Sequence, residues 1–396
     1  MFSGISKSIA RPDTIDKMIS IRAFCPGGLS NYVNDDYASA ICAVNIADQS
    51  GIAGISKKTW NEYLKMKHIT LAASIIDNYT VINATCEPDD LETLLQLLRL
   101  YTMSRTEKVG MVSLSASMEA SFLNNPFKHH LKALTAFHTR AGFPQPASQI
   151  SISKACKIFN AEFSNAANYT FVITGNLYGN VMNEPTKATP ILFAYLEKLQ
   201  VDTNRKHNIG PFFSEAVAGR SVSVKTNFKT SIVSGALIYS GSINYSDSTR
   251  LQLSALAEIL AGKLNRVGVN NVSIDLDVRK IPTSQFVFTV NYAFSANKDN
   301  PGNKVKKLIK GLENNISEND INNFVQNKKK ELRSPSNNFW PDYLKYQFQN
   351  NNDLQIISEY PYAFNRITLS SLRAACSAYL NNQNFSELTT IIHKVH

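Results

Sequence analysis

The sequence predicts an α+β protein with two similar domains, each an antiparallel-rich sheet with helices packed on one face. Two observations carry this prediction. Short stretches with alternating apolar residues, typical of strands, are followed by stretches with apolar residues three and four apart, typical of helices. The order of these stretches in the first half of the chain returns in the second half. A repeat of about half the chain indicates duplicated domains rather than a solenoid.

The repeat is clearest near the end of each half. Residues 150–174 (ISISKACKIFNAEFSNAANYTFVIT) and 367–391 (ITLSSLRAACSAYLNNQNFSELTTI) align without a gap as a helix cap, a helix, an Asn-rich turn and a strand. Residues 68–105, a strand followed by a helix, have a counterpart in residues 284–312. Two copies of one supersecondary plan therefore make up the chain.

Residues 68–105 carry the strongest local pattern, and the rest of the first half is organised around them. The pattern predicts one long strand that stops at Pro88 and then an amphipathic helix. The apolar face of that helix is formed by Leu91, Leu94, Leu95, Leu98 and Tyr101. Acidic residues at its start and Arg99 near its end suit the helix dipole. We expect this helix to lie across its sheet.

The other elements of the first half follow from turn and cap residues. Residues 17–25 alternate as a strand and end at the turn Pro26-Gly27-Gly28. Ser56 is a candidate cap for a helix, as are Ser151 and Ser153 for another. Further helices are predicted over residues 35–48, 107–122, 127–138 and 190–199, a loop over 141–149, and a buried strand over 169–174.

Residues 203–219 have no sustained periodicity and contain Gly-Pro, so they are predicted to be a linker. The predicted domains are therefore residues 1–202 and 220–396. In the second domain the pattern predicts strands over 221–224, 229–240, 272–278 and 284–294. Helices are predicted over 247–264 and 304–312, from Ser317 onward, over 341–348, and before a final strand.

Composition excludes several classes of protein. With 43% hydrophobic and 18% charged residues in 396, the chain is expected to be soluble and globular, and its longest apolar run is far below the roughly 20 residues of a membrane span. The net charge of +10 raises nucleic acid as a partner, but the positive residues are dispersed. The one dense run, residues 328–333, lacks interleaved aromatics, so a solvated helix face is the favoured interpretation. The five scattered cysteines predict buried thiols rather than disulfides.

Several segments, in this order, carry a resemblance: PGGLSNYVNDDYASA, DLETLLQLLRLYTMSR, NYTFVITGNLY and FAYLEKLQ. Together they resemble the pitrilysin/insulinase family of zinc metallopeptidases, and more narrowly the C-terminal, non-catalytic half of its bacterial members. The resemblance spans nearly the whole chain. It implies the duplicated metallopeptidase/LuxS-like module and a binding role rather than a catalytic one.

In the family, the catalytic half holds zinc with the motif His-x-x-Glu-His on one helix plus a downstream Glu. The seven histidines here form neither HxxEH nor HExxH. The densest group, HHLKALTAFH, contains no carboxylate, and a helix face is the favoured interpretation over a metal site. We therefore expect no catalytic residue and no cofactor in this chain, with zinc in a catalytic partner half.

The resemblance also implies one binding residue. In the family an Arg, followed after a short turn by a Tyr, helps to hold the substrate backbone. Arg266 matches the Arg, whereas the Tyr position falls on Val272 or Ser273, neither of which supplies a phenol. The competing interpretation of Arg266 is a solvated cation at a helix end. An exposed sheet edge that adds a peptide as a further strand is a second possible site, and such a site leaves no side-chain signature.

The leading expectation is a non-catalytic half, or subunit, that encloses peptide substrate together with an HxxEH-bearing catalytic half. Its partners would be that half and the peptide, with no nucleic acid and no membrane span. The alternative is a structural or assembly protein that kept the fold and lost the chamber function, which the missing Tyr favours. The first residues lack an apolar segment typical of a secretory signal, so the expected compartment is the periplasm if a leader or N-terminal half has been removed, and otherwise the cytoplasm.

Overall fold

The structure of the chain is a computed structural model. It describes residues 7–12, 18–32, 35–102, 126–135, 150–165, 168–175, 191–192, 194–195, 218–226, 232–269, 271–295, 300–333, 335–336, 338–352 and 356–392. The predicted helix 107–122, the predicted loop 141–149 and most of the predicted linker, residues 203–217, lie outside this part of the chain.

The described strands are β1 Lys7–Pro12, β2 Ile19–Pro26, β3 Thr70–Ile75, β4 Tyr79–Cys86, β5 Thr170–Gly175, β6 Ser221–Thr226, β7 Ile232–Ser242, β8 Val272–Arg279, β9 Gln285–Ser295 and β10 Phe385–Ile392. The described helices are α1 Asp35–Gln49, α2 Lys57–Met66, α3 Leu91–Thr102, α4 Pro126–Thr135, α5 Ile152–Phe163, α6 Asp247–Arg266, α7 Gly302–Lys310, α8 Leu312–Asn315, α9 Glu318–Arg333, α10 Phe339–Gln349, α11 Ile356–Ala363 and α12 Leu369–Tyr379.

The chain divides into two compact units. Unit 1 comprises Met1–Ser121, Gln145–Phe213 and Pro335–Gln349, and unit 2 comprises Phe122–Pro144, Ser214–Ser334 and Asn350–His396. Each unit contains a five-stranded sheet, in the order β1-β5-β2-β4-β3 in unit 1 and β6-β10-β7-β9-β8 in unit 2. In both sheets the first pair of strands is parallel and the other pairs are antiparallel.

These two sheets confirm the predicted α+β class and the duplication. Each strand of unit 1 has a counterpart of unit 2 at the same place in the sheet. The aligned segments also correspond, because α5 and β5 occupy in unit 1 the places that α12 and β10 occupy in unit 2. The pairing of β4 with α3 likewise matches that of β9 with α7.

One core in unit 1 joins the sheet to its helices. Alternate residues of β2, beginning with Ile19 and Ile21, point into it, together with the apolar faces of α1, α3 and α5. The leucines predicted on one face of α3 are all buried, and the ring of Tyr101 lies 5.8 Å from the ring of Phe159 of α5. The amphipathic pattern of α3 therefore predicted its packing correctly.

The segment before α3 differs from the single long strand predicted for it. It forms two antiparallel strands, β3 and β4, joined by a tight turn through Asp77 and Asn78. Asp and Asn favour turns, and the backbone around Gly28 holds this one: the N–H groups of Gly27 and Leu29 donate to the carbonyls of Asn78 and Ile76 at 2.8 and 2.9 Å. A Cβ on Gly28 would lie 2.1 Å from the Ile76 carbonyl oxygen, so the contact requires glycine.

Each sheet also carries a helix on its second face. In unit 2, Leu134 of α4 packs on Ala236, Ile238, Val287 and Leu388, which alternate along their strands with the residues that face α7 and α12. In unit 1, α10 packs on β2 and β5, where Arg22 donates to Asn338 at 2.7 Å and Phe24 meets Phe348. The main helical layer of each unit remains on one face, as predicted.

These two helices change how the domains divide. The sequence-based division places α4 in residues 1–202 and α10 in residues 220–396, whereas the structure assigns α4 to unit 2 and α10 to unit 1. The physical reason is burial: an amphipathic helix packs on whichever apolar surface is available, whatever its distance in sequence. Each unit is therefore completed by a segment from the other half of the chain.

Candidate functional site

Arg266 is the last residue of α6, and local sequence determines where that helix begins and ends. The Ser246 hydroxyl accepts from the Thr249 N–H at 3.0 Å and caps the first turn. At the other end, Gly268 takes a φ of +73°, and the N–H groups of Gly268 and Val269 donate to the carbonyls of Asn265 and Leu264 at 3.1 Å. This is a Schellman ending, which places Arg266 in the final turn.

The neighbour of Arg266 is Asp320, in the first turn of α9. The Asp320 carboxylate accepts from Lys263 Nζ at 2.8 Å, while its other oxygen lies 3.7 Å from Arg266 Nη1. The Ser317 backbone N–H and hydroxyl also donate to it, at 3.0 and 2.9 Å. Burial alone would raise the pKa of Asp320, but these hydrogen bonds and the charge of Lys263 hold that pKa below its ordinary value.

Arg266 and Asp320 differ sharply in exposure. The Arg266 side chain is 63% exposed, whereas that of Asp320 is 6% exposed. Because Lys263 already pairs closely with Asp320, the Arg266 guanidinium is only weakly engaged, at 3.7 Å from the carboxylate. Arg266 is therefore held in place at its helix end and remains able to donate to a carbonyl or carboxylate oxygen.

A cleft of about 300 Å³ lies beside Arg266. It is lined by Glu258, Ile259, Gly262, Arg266, Asp320, Asn323, Phe324 and Asn327. The walls combine one apolar ring with amide, carboxylate and guanidinium groups, which suits a peptide backbone better than a purely apolar ligand. The family resemblance pointed to Arg266 but did not identify Asp320 as its partner, although Ser317 three residues before Asp320 is a helix-start signal.

The missing phenol is not supplied by another tyrosine of this sheet. Val272 pairs in register with Tyr292 of β9. Tyr292 is buried, and a Cβ on Gly235 or Gly302 would lie within 2.5 Å of its side chain, so these two glycines make room for the ring. Burial and, next, the Glu387 carboxylate raise the pKa of Tyr292 to about 12. Its hydroxyl faces the interior of unit 2 and is not available to a ligand at the surface.

Strand β8, which begins at Val272, is an end strand of the described sheet in unit 2. It pairs with β9, and among the described strands none lies on its other side. Ser273 and Asp275 are exposed, and Asn291 donates to the Asp275 carboxylate at 2.6 Å. Main-chain groups on the outer side of β8 are thus placed for pairing with an extended peptide. The sequence predicted that such an edge could exist but not which strand forms it.

The described residues do not fit a zinc site. They contain no group of three or more His, Cys, Asp or Glu side chains arranged to hold a metal ion. Of the predicted histidine group, the structure describes the side chain of His130, which is exposed on α4; those of His129 and His138 lie outside the described residues.

The cysteines are also unsuited to nucleophilic chemistry. All five are buried and free, as the sequence predicted. Burial raises the pKa of Cys42 and Cys86 to about 12 and that of Cys376 to about 11, with nearby carboxylates adding to the effect for the latter two. A thiol that stays protonated at neutral pH is a poor nucleophile and a poor metal ligand.

Comparison with curated proteins finds two relatives. The Arabidopsis thaliana protein named "Zinc protease PQQL-like" is 26% identical over 205 residues, which are 49% of this chain and 18% of that protein. The Haemophilus influenzae protein named "Probable zinc protease PqqL" is 31% identical over 92 residues, 23% of this chain and 10% of that protein. The matched segments thus span less than a fifth of either relative. No protein-family model matches the chain.

Comparison with solved structures shows the same fold along the whole chain. The periplasmic protease PqqL from Escherichia coli matches with a TM-score of 0.72 and 17% identity, covering 97% of this chain and 44% of that one. The "peptidase M16 inactive domain" from Pseudomonas fluorescens matches with a TM-score of 0.73 and 15% identity, covering 100% and 97%. A protease from Helicobacter pylori matches with a TM-score of 0.76 and 13% identity, covering 98% and 97%.

Proposed function

Because the chain belongs to the pitrilysin/insulinase (M16) family of zinc metallopeptidases and is similar to its bacterial members, we propose that it is the non-catalytic half, or a separate non-catalytic subunit, of such a peptidase. In this proposal it closes over an HxxEH-bearing catalytic half and helps to enclose a peptide. Its own residues bind and orient the peptide, and zinc belongs to the catalytic half.

One observation carries the proposal. The chain covers nearly all of a domain described as the inactive domain of an M16 peptidase and slightly under half of the E. coli protease PqqL, yet its own sequence contains no HxxEH motif. Two modules of this fold without the HxxEH histidines could contribute a surface for a peptide but not the metal that activates water. Cleavage would then require a second polypeptide or a further part of this one.

Within this proposal Arg266 is the residue that contacts substrate. Its side chain lines the cleft and is 63% exposed. A peptide carbonyl oxygen is a suitable acceptor, and β8, which follows Arg266 in the chain, offers main-chain groups to the same extended segment. Without a phenol at Val272 or Ser273, we expect the contact to be weaker than one made by an Arg and a Tyr together.

Reconstitution tests the proposal. The chain is mixed with a separately expressed HxxEH-bearing catalytic half, and hydrolysis of a fluorogenic peptide is followed with and without chelator. We expect the mixture to hydrolyse the peptide at least about tenfold faster than the catalytic half alone, because enclosure supplies binding and orientation. Equal rates with and without the chain would contradict the proposal, and so would chelator-sensitive cleavage by the chain alone.

Arg266→Ala tests the role of the arginine in the same mixture. The expected result is a KM raised about three- to tenfold with kcat nearly unchanged, since the contact holds the peptide backbone before and during reaction. Arg373→Ala is the matched control, because Arg373 is an exposed arginine on α12 of the same unit. An unchanged KM in Arg266→Ala, or an equal change in both variants, would show that Arg266 is only a solvated helix-end cation.

A second candidate function is a structural role in an assembly. A chain of "Complex III2 from Candida albicans" matches with a TM-score of 0.67 and 11% identity, covering 97% of this chain and 93% of that one. The buried Tyr292 and the missing phenol near Val272 favour this candidate, because peptide anchoring is reduced. Stable self-association without measurable peptide binding, read by sedimentation and by peptide anisotropy, would select it over the peptidase half.

The compartment is part of the same proposal. The E. coli neighbour is described as a periplasmic protease. In the described part of this chain, no helix is both long enough and apolar enough to cross a bilayer. We propose a periplasmic location for the peptidase to which the chain contributes, which fractionation of cells expressing the full-length gene would test.

A further inference from the structure

The positive charge of the protein belongs to one of its two units. Unit 1 contains 18 Lys and Arg and 18 Asp and Glu, so it carries no net charge. Unit 2 contains 23 Lys and Arg against 13 Asp and Glu, which accounts for the whole formal charge of +10. Because the two units share one fold, the fold itself does not require this difference.

Helix α7 of unit 2 carries part of that charge without any acidic residue of its own. Its sequence, GNKVKKLIK, has four lysines and no acidic residue. Lys306 is half-buried and pairs with Glu387 at 2.7 Å. Lys304, Lys307 and Lys310 are exposed, and within the described residues none of them makes an ion pair. At spacings of three these side chains share one face of the helix, and they are called the α7 lysine row below.

The duplicated fold provides an internal comparison. Helix α3 has the place in unit 1 that α7 has in unit 2, and its only charged residues are Glu92 and Arg99. Both helices bury an apolar face, Val305 and Ile309 in the case of α7. A helix at this place in the module therefore packs on its sheet whether or not it carries lysines. The α7 lysine row is an addition that packing does not explain.

The charges of the row are only partly compensated. Lysines three residues apart repel one another, and Lys304 lies near the N-terminus, where the helix dipole disfavours positive charge, whereas Lys307 and Lys310 lie in the last turn, where the dipole favours it. Within the described residues, no carboxylate forms an ion pair with any of these three lysines. A negatively charged partner would relieve the repulsion along the row.

We propose that the α7 lysine row binds an acidic segment of a polypeptide. This inference rests on the proposed function and adds to it that the bound peptide is acidic. The exposed residues of α7 are lysines and Asn303, with no aromatic ring on which a nucleic-acid base could stack and no exposed apolar residue to enter a membrane. The chain leads from Lys310 through α8 to Asp320, which lines the same cleft as Arg266, and α7 contacts α6, so the row and the Arg266 cleft belong to neighbouring parts of unit 2.

Fluorescence anisotropy with the full chain tests this inference. The probe is a labelled 12-residue peptide rich in Glu, compared with a peptide of the same length in which Gln replaces Glu. The variant combines Lys304→Gln, Lys307→Gln and Lys310→Gln. The control combines Lys57→Gln, Lys58→Gln and Lys65→Gln, which removes the same charge from exposed positions of α2 in unit 1.

We expect the acidic peptide to bind with an affinity that falls with salt, and the α7 variant to lose about tenfold in affinity while the control loses less than about twofold. Equal losses in the two variants would overturn the proposal, as would equal binding of the acidic and Gln peptides. Tighter binding of single-stranded DNA or of anionic vesicles than of the acidic peptide at the same salt concentration would also overturn it. The measurement needs no catalytic half, so failure here is distinguishable from failure of reconstituted hydrolysis.

Discussion

His68 and Gly268 have the same structural role in the two units. Each is the second residue beyond a helix, α2 or α6, and each adopts a positive φ, +49° and +73° respectively. In both, the next residue donates to a leucine carbonyl five positions back, Ile69 to Leu64 and Val269 to Leu264. The Schellman ending thus recurs at the same point of the duplicated module, but only unit 2 has the glycine that it favours.

His68→Gly should therefore stabilise the protein. A side chain at this φ strains the backbone, and glycine relieves the strain by about 1 kcal/mol, partly offset by the greater freedom of glycine in the unfolded chain. We expect the free energy of unfolding to rise by about 0.5 kcal/mol in urea denaturation. The reciprocal change, Gly268→His, should lower it by about 1 kcal/mol, since a Cβ there meets nothing within 4 Å and only strain acts. Changes of the same sign in both variants would contradict this reasoning.

At the scale of elements, α6 and α9 are joined through one buried carboxylate. Asp320 accepts from the Ser317 N–H and the Ser317 hydroxyl accepts in turn from the Asp320 N–H, a reciprocal cap at the start of α9. The same carboxylate pairs with Lys263 near the end of α6, and Lys263 also donates to the Asn315 carbonyl at 2.8 Å. The start of α9 and the end of α6 are thus joined by the ion pair of Asp320 and Lys263, and each of these side chains also makes a hydrogen bond to the backbone.

Asp320→Asn should destabilise the protein in a pH-dependent way. At pH 7 the loss of the buried charge pair is expected to lower the free energy of unfolding by about 2 kcal/mol. The folded pKa of Asp320 is depressed, so its contribution is present above the ordinary pKa and is lost as the pH falls through the folded value. The difference in the free energy of unfolding between the variant and the wild type should therefore become smaller below about pH 4.

Urea denaturation at pH 7 and pH 3 measures this difference in the free energy of unfolding. Circular dichroism without denaturant checks that both proteins are folded at pH 3. Arg266→Ala is the control, because its distant and exposed pairing with Asp320 should contribute less than about 0.5 kcal/mol. A difference that stays constant with pH would show that the carboxylate charge of Asp320 does not stabilise the α6–α9 contact.

At the scale of the molecule, each unit depends on a helix encoded in the other half of the chain. Helix α4 covers an apolar face of the unit 2 sheet, and α10 covers part of the unit 1 sheet, where Tyr79 also donates to the Gln349 carbonyl at 3.0 Å. Cutting the chain within residues 203–219 would therefore separate each sheet from one of its helices. The predicted linker is a boundary in sequence that we do not expect to yield two independent domains.

Leu134→Ala tests this exchange in the full chain. Leu134 is buried on Ala236, Ile238, Val287 and Leu388, so truncation should lower the free energy of unfolding by about 2 to 3 kcal/mol. Amide hydrogen exchange should become faster in β6, β7 and β10, although residue 134 precedes them by more than 80 positions, and should stay unchanged in β2 and β4. Thr135→Ala, next to it and only half-buried, is the control. Faster exchange in β2 and β4 instead would contradict the assignment of α4 to unit 2.

The sequence predicted the parts of this protein that depend on neighbouring residues. Ser56 and Ser151 cap their helices as expected, because a hydroxyl reaches an N–H only three residues away. The apolar faces of the helices and the alternation of the strands were visible for the same reason. The hairpin of β3 and β4 was missed because the apolar residues on both sides of Asp77 and Asn78 resemble one continuous strand.

The candidate site was predictable only in part. Arg266 was identified by resemblance, and its role stays a proposal. Its pairing with Asp320, the burial of Tyr292 across from Val272 and the edge position of β8 required the fold. The first two relate residues that are 54 and 20 positions apart, and the third depends on which strands pair. A local sequence pattern does not predict such distant contacts.

By itself, the sequence determined that two copies of one strand-and-helix module follow each other and that no HxxEH motif is present, since both are properties of residue order. Only the tertiary structure decided which sheet α4 and α10 complete, which strands form the sheet edges, and which lysines remain unpaired. The reason is that hydrogen bonds within a turn or cap span a few residues, whereas burial of apolar surface selects partners from the entire chain.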